Sequence, residues 1–135
     1  MDYKIEELNK FEDERGFLIE FLKNSELRED QKTFGQIYLA TIKPGCFRGN
    51  HYHKHKVEFF AVMIGKVSIV LEDINTKEKK ELEIDSAGKK IVRITVGPNV
   101  AHSIKNNSDQ DIVLCAYSNE EYYSKSLDQE VYKLI

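Results

Sequence analysis

Cysteine is scarce in this chain, with two residues, Cys46 and Cys115, among 135. They lie far apart and form no Cys-x-x-Cys pair, which excludes a zinc knuckle and a dithiol redox motif. Each reads as a small hydrophobe buried in a strand, with Cys46 near enough to His51 to line a site without acting in it. Long apolar runs are missing as well. None approaches the length of a membrane span, and Met1–Glu7 lacks the basic-then-apolar order of a secretion signal. These absences predict a cytoplasmic protein with no membrane partner. Excess positive charge is also absent: 20 basic against 23 acidic residues leave a net −3, which offers no field to a nucleic acid polymer. No repeat, low-complexity tract or linker divides the chain, so residues 1–135 are expected to form a single domain.

What is present is a period of two. Phe17, Ile19 and Phe21 alternate with Leu18, Glu20 and Leu22, which predicts a first strand there. Ile37, Leu39 and Thr41 alternate with Tyr38 and Ala40 until Pro44 and Gly45 break the pattern. Val57 to Ile64 is almost continuously apolar and Gly65 and Lys66 turn it into Val67, Ile69 and Leu71, a pattern that predicts a hairpin with a buried first strand. The polar tract Asn75–Lys80 reads as a solvated loop between Leu71 and Leu82. Further strands are expected at Ile91–Val96, around His102 and Ile104, and at Ile112–Tyr117. Eight or more short strands on one core imply an all-β jelly-roll barrel. The tail from Asn119 to Ile135 fits either a short C-terminal helix or an arm packed on the barrel or on a second subunit.

Three of the four histidines fall within His51–His55. Two neutral imidazoles and a carboxylate a few residues apart form a minimal set for holding a divalent metal, and also for moving protons. Alternate residues of a strand share a face, so His51 and His53 point into one cavity and Glu58 joins from the next strand. His102 lies more than forty residues further on, and it closes the cluster only if the sheet folds back over itself, as a rolled barrel does. Four such donors surround zinc at about 2 Å with a position left open, and iron or manganese accepts the same ligands. His55 falls in the gap before Glu58 and is expected at the surface.

The spacing of Gly45, His51, His53, Glu58 and Gly65 resembles the first motif of the cupin superfamily, and His102 with Asn106 resembles part of the second. In the segment Gly97-Pro98-Asn99-Val100-Ala101-His102, Asn99 stands where the family pattern has glycine, and asparagine tolerates a left-handed backbone. The run from Phe47 to Phe60, with Gly65, Lys66 and His102–Asn107, resembles more closely the C-terminal cupin of bifunctional capsular-polysaccharide enzymes. Those enzymes epimerise and then reduce UDP-linked 4-keto-6-deoxy sugars. The resemblance implies a zinc site at His51, His53, Glu58 and His102. Asp13–Phe21 resembles the opening of dTDP-4-dehydrorhamnose 3,5-epimerases, which implies that Arg15 and Glu20 line a nucleotide-sugar site across a homodimer. The run Arg48-Gly49-Asn50-His51 is similar to sequences in those epimerases and in sugar-nucleotide 3,4-ketoisomerases, which implies substrate contacts at Arg48 and Asn50.

All three relatives remove a proton from carbon beside a ketone, which needs a base in reach and positive charge for the enolate oxygen. His51 is the candidate base. If it ligates a metal, the base passes to Tyr52, Lys54, Lys56 or a water, while the metal polarises the ketone. The planar fork of Arg48 suits the diphosphate of a nucleotide sugar. The expected function is therefore an epimerase or ketoisomerase of nucleotide-linked 4-keto-6-deoxy sugars. The alternatives are a non-catalytic sugar-binding cupin and a metal-dependent cupin dioxygenase.

Overall fold

In the computed structural model, which describes residues 1–122 and 128–135, the period-two pattern becomes strands that roll into two facing sheets. In chain order these are β1 (Tyr3–Asn9), β2 (Phe11–Asp13), β3 (Gly16–Leu18), β4 (Gln36–Ile42), β5 (Phe47–Tyr52) and β6 (Glu58–Ile64). There follow β7 (Lys66–Asp73), β8 (Lys79–Asp85), β9 (Lys90–Val96), β10 (Val100–Asn106), β11 (Ile112–Ser118) and β12 (Glu130–Val131). One five-stranded sheet has the order β1-β9-β6-β11-β4 and the other β12-β5-β10-β7-β8, all neighbours antiparallel. This is the cupin-type jelly-roll barrel expected from the sequence. Among the described residues no helix is long and apolar enough to cross a membrane.

Alternation along each strand decides what lies between the sheets. Phe60 and Val62 of β6, Ile69 and Leu71 of β7, Ile94 and Val96 of β9 and Leu114 of β11 meet there in one buried cluster. The outer face of the first sheet is covered by a different route. Phe21, Leu22 and Leu27 lie over Val57, Phe59 and Tyr117, and the buried Arg93 guanidinium holds this cover in place. It donates to the Phe21 carbonyl at 2.7 Å and to the carboxylates of Glu26 and Glu6 at 2.9 and 3.0 Å.

That cover explains a departure from the expected first strand. Only Gly16–Leu18 is extended, paired with β2 in a two-stranded ribbon, because Phe21 and Leu22 leave the ladder to pack on the sheet. The true first strand, β1, alternates charged and half-buried side chains too weakly to stand out in the sequence. The expected hairpin at Gly65 is also absent. β6 and β7 belong to different sheets, and Gly65, at φ +112°, turns the corner between them. Both strands carry apolar faces that need the same core, so they face each other across it instead of pairing. The Asn75–Lys80 loop does join a hairpin, β7 to β8.

The tail shows no helix among its described residues; β12 pairs with β5 as an arm, while residues 123–127 of the expected helix lie outside the described residues. Of the cysteines, Cys115 is half-buried in β11, but Cys46 is exposed in the turn after β4, where Pro44 and Gly45 end the strand.

Candidate functional site

The site begins with a distortion in β5. Gly49 at φ +99° and Asn50 at φ +58° are both left-handed, opposite a register shift between His102 and Ser103 of β10. A Cβ on Gly49 would stand 2.5 Å from the His102 carbonyl oxygen, so only glycine lets the two backbones approach this closely. His51 then lies directly opposite His102 across the ladder. His53 follows the end of β5, and Glu58 opens β6 in the facing sheet. The assembly thus differs from the sequence expectation in one respect. His102 reaches the cluster as a lateral neighbour of His51, and it is Glu58 that comes from across the barrel.

The imidazoles of His51, His53 and His102 bring their ligand nitrogens within 4.8 Å of one another. His51 and His102 meet edge to face with ring centres 4.8 Å apart. Glu58 lies beneath them, one oxygen 3.5 Å from His53 Nε2 and the other 3.8 Å from His102 Nε2. The Lys56 ammonium stands 3.7 Å from the same carboxylate. His53, His102, Glu58 and Lys56 are all buried, and His51 is half-buried at the floor of a cavity of about 880 Å³. Tyr38, Phe47, Arg48, Phe60 and Ile104 complete its wall.

Two backbone carbonyls orient the buried imidazoles. The Asp128 carbonyl faces His53 Nδ1 at 2.5 Å and the Val100 carbonyl faces His102 Nδ1 at 3.2 Å. A carbonyl only accepts, so the proton of each ring sits on Nδ1 and Nε2 turns a lone pair toward Glu58. His53 Nε2 is buried with no hydrogen-bond partner, a costly arrangement for a group left to itself. Tetrahedral zinc ligands at about 2.1 Å stand about 3.4 Å apart. The His53–Glu58 separation and the orphaned nitrogen therefore fit a shared divalent cation.

Charge in the site follows from burial and neighbours. Burial, then the charges that His102 and His53 would carry, pushes His51 down to about 3. Burial likewise lowers His102. Burial would raise Glu58, but the neighbouring His53 and His102 imidazoles and the Lys56 ammonium hold it down at about 2. At neutral pH Glu58 is thus ionised beside neutral His51 and His102, the protonation states metal ligands require. Burial raises the Tyr38 phenol, the Glu58 carboxylate adds to this, and Arg48 opposes it.

Of the residues singled out in the sequence, the fold brings together His51, His53, Glu58 and His102, with Lys56 beside Glu58 and Arg48 on the cavity wall. Arg48 Nε donates to the Thr41 carbonyl at 2.9 Å, which fixes the base of its fork. His55 is exposed, and Asn99 is left-handed at φ +64°. Tyr52 is not part of the cavity wall; its ring packs against Tyr132. Lys54 is exposed and paired with Glu130. Asn50 also lies away from the cavity, because its side chain binds the backbone of Leu134 and Ile135. Arg15 and Glu20 are exposed, pair with Asp13 and Lys23, and do not line the cavity of this chain. Sequence reasoning missed Tyr38 and Asp128. Tyr38 differs in no local way from any other inward residue of β4, and Asp128 acts through contacts with residues more than seventy positions away.

A family model described as polysaccharide biosynthesis C-terminal domain matches residues 11–130. A UDP-2-acetamido-2,6-beta-L-arabino-hexul-4-ose reductase of Pseudomonas aeruginosa is 31% identical over 116 residues, which are 86% of this chain and 29% of that protein. The capsular polysaccharide assembling protein CapF of Staphylococcus aureus superposes with a TM-score of 0.67 at 28% identity, covering 94% of this chain and 34% of its own. The chain therefore spans about a third of the length of these two relatives. A dTDP sugar isomerase of Desulfovibrio desulfuricans shares the fold, with a TM-score of 0.81 at 17% identity over 98% of this chain and 84% of that one.

Proposed function

We propose that this chain, which belongs to the polysaccharide biosynthesis C-terminal domain family, is an isomerase of nucleotide-linked 4-keto-6-deoxy sugars that moves a proton on carbon beside the ketone. One observation carries the reading: three imidazoles and the Glu58 carboxylate converge, and His51, His102 and Glu58 line a cavity of about 880 Å³ with an arginine on its wall. The volume falls in the range of small-molecule sites, which run to about 1,000 Å³. The names of the Pseudomonas relative, for a UDP-linked hexulose, and of the Desulfovibrio neighbour, for a dTDP sugar, support the substrate class.

In this reading His51, His53, Glu58 and His102 hold a divalent metal, zinc being the ion their nitrogen and oxygen donors suit best. Bound there, the metal would supply Lewis-acid polarisation of the sugar ketone. A histidine held down at about 3 is a weak base but a good neutral ligand, which favours the ligand role for His51 over that of general base. Among the wall residues the proton carrier is then Tyr38. Its raised pKa keeps the phenol protonated at neutral pH, so it acts as the acid that donates to the developing enolate oxygen, while the proton leaving carbon passes to water in the open cavity and a solvent proton replaces it. Arg48 holds the diphosphate and orients the sugar toward the imidazoles. We propose also that the protein acts in the cytoplasm as a homodimer, where Arg15 and Glu20 serve a neighbouring copy.

The test is solvent exchange. Incubation with UDP- or dTDP-4-keto-6-deoxy sugars in heavy water is expected to place deuterium at C3 or C5, read by NMR and mass spectrometry. Tight sugar-nucleotide binding with no deuterium uptake would replace the enzyme by a binding module.

A further inference from the structure

The C-terminal arm touches the site at a place that the proposed chemistry does not use. Its first described residue, Asp128, makes two kinds of contact at once. Its carbonyl accepts from His53 Nδ1 at 2.5 Å. Its carboxylate accepts three successive backbone N–H groups, from Lys54 at 2.6 Å and from His55 and Lys56 at 2.9 Å. Those amides form the link between His53 and Glu58, where the chain leaves one sheet for the other.

The rest of the arm is fastened along β5. Glu130 and Val131 pair with Tyr52 and His51, and the Tyr132 amide donates to the Asn50 carbonyl at 2.7 Å. The Tyr132 hydroxyl donates to Glu72 at 2.6 Å, and the Asn50 side chain accepts from the amides of Leu134 and Ile135. Asn50, expected from its sequence neighbours to meet substrate, is instead the anchor of this arm.

We infer that the arm is a strap whose Asp128 is a positioning residue: it fixes the His53 tautomer and the geometry of the 54–56 link, so that Nε2 presents its lone pair to the cluster. The physical need is specific. An imidazole has one protonated nitrogen and one lone pair, and what faces Nδ1 decides which is which. A carbonyl at Nδ1 forces the proton there. Without it, a proton on Nε2 would point at Glu58 and block the cluster from accepting a cation. The carboxylate adds rigidity because three amides on one acceptor hold the link in a single conformation, and the link sets the distance between His53 and Glu58. This inference rests on the reading of the imidazole cluster as the reacting centre for its effect on turnover, but the tautomer itself does not depend on it.

The experiment uses full-length, chelator-treated protein labelled with ¹⁵N in histidine. Long-range ¹H–¹⁵N spectra of the wild type are expected to show His53 with a protonated Nδ1 and an unprotonated Nε2. Asp128→Ala keeps the backbone carbonyl but removes the carboxylate anchor that seats it against His53 and fixes the 54–56 link, and is expected to give a mixed tautomer and a 10- to 100-fold loss of Zn²⁺ affinity by titration. Asp128→Asn, which keeps one acceptor oxygen, is expected to recover part of both. Circular dichroism confirms that each variant is folded, and Asp128→Asn serves alone if Asp128→Ala is not. A wild-type His53 protonated on Nε2 would overturn the proposal, and so would a folded variant with unchanged tautomer and unchanged Zn²⁺ affinity. Where sugar exchange is measurable, Asp128→Ala is expected to lower kcat with little change in KM. If no sugar shows exchange in the wild type, the isomerase reading fails while the tautomer and Zn²⁺ measurements still decide the strap.

Discussion

At the scale of the residue, the site is an ionised carboxylate buried among groups that have little water to help them. Glu58 neutralises Lys56 and lies between the His53 and His102 imidazoles, so Glu58→Gln leaves a buried ammonium without its counter-charge. The expected cost is on the order of 3 kcal/mol in urea denaturation, together with loss of deuterium exchange. Tyr38→Phe removes one hydroxyl on the cavity wall and is expected to slow exchange by about 10² to 10⁴ while the thermal midpoint hardly moves. An unchanged exchange rate in that variant would return the proton-carrying role to another group. Arg48→Ala is expected to raise KM more than it lowers kcat, since a diphosphate held away from the reacting carbon contributes binding common to ground and transition states.

At the scale of the element, the corners matter more than the strands. Gly65 turns β6 into β7 at φ +112°, and a Cβ there would run into the Ile112 side chain. Gly65→Ala is therefore expected to destabilise by about 1–3 kcal/mol through backbone strain, with further loss from the clash, measured as a lower denaturation midpoint. Most elements were legible from alternation: β4, β9 and β11 occur where their apolar residues repeat at two. What misled was pairing. Continuous apolar runs on both sides of Gly65 look the same whether the strands pair side by side or face each other across a core, because burial is similar in both. The segment after Gly16 misled for a related reason. Phe17 and Leu18 stay exposed, and Phe21 and Leu22 are half-buried as part of a cover fastened by Arg93, Glu26 and Glu6 and not in a ladder.

At the scale of the whole molecule, folding is coupled to the protonation of the cluster. His51 titrates at about 3 when folded, against an ordinary value of 6.5, and His102 is lowered in the same direction. Glu58 falls from 4.5 to about 2. Each group is therefore less protonated in the folded chain than in the unfolded one, so stability is full above the unfolded values and is lost as acid is added. For metal-free protein the urea midpoint is expected to begin falling below pH 6.5, as unfolded histidines gain protons, and to fall further below pH 4.5 as carboxylates join. A midpoint constant between pH 7 and pH 4 would contradict the lowered His51 and His102. Zinc at a hundredfold excess over its Kd is expected to add about 2.7 kcal/mol, reversed by a chelator.

The amino-acid sequence by itself determined the class of fold and which side chains could gather, since a period of two assigns faces and places His51 and His53 on one side, with Glu58 and His102 at recognisable spacings. Tertiary structure decided how those donors meet and what holds them. That His102 lies beside His51, that Glu58 crosses from the facing sheet, that Tyr38 enters the wall and that Asp128 sets a tautomer are all results of strand register and of an arm returning from the far end of the chain. Alternation reports which side of a strand a residue is on. It carries no information about which distant strand will lie opposite, because that choice comes from packing the whole barrel at once.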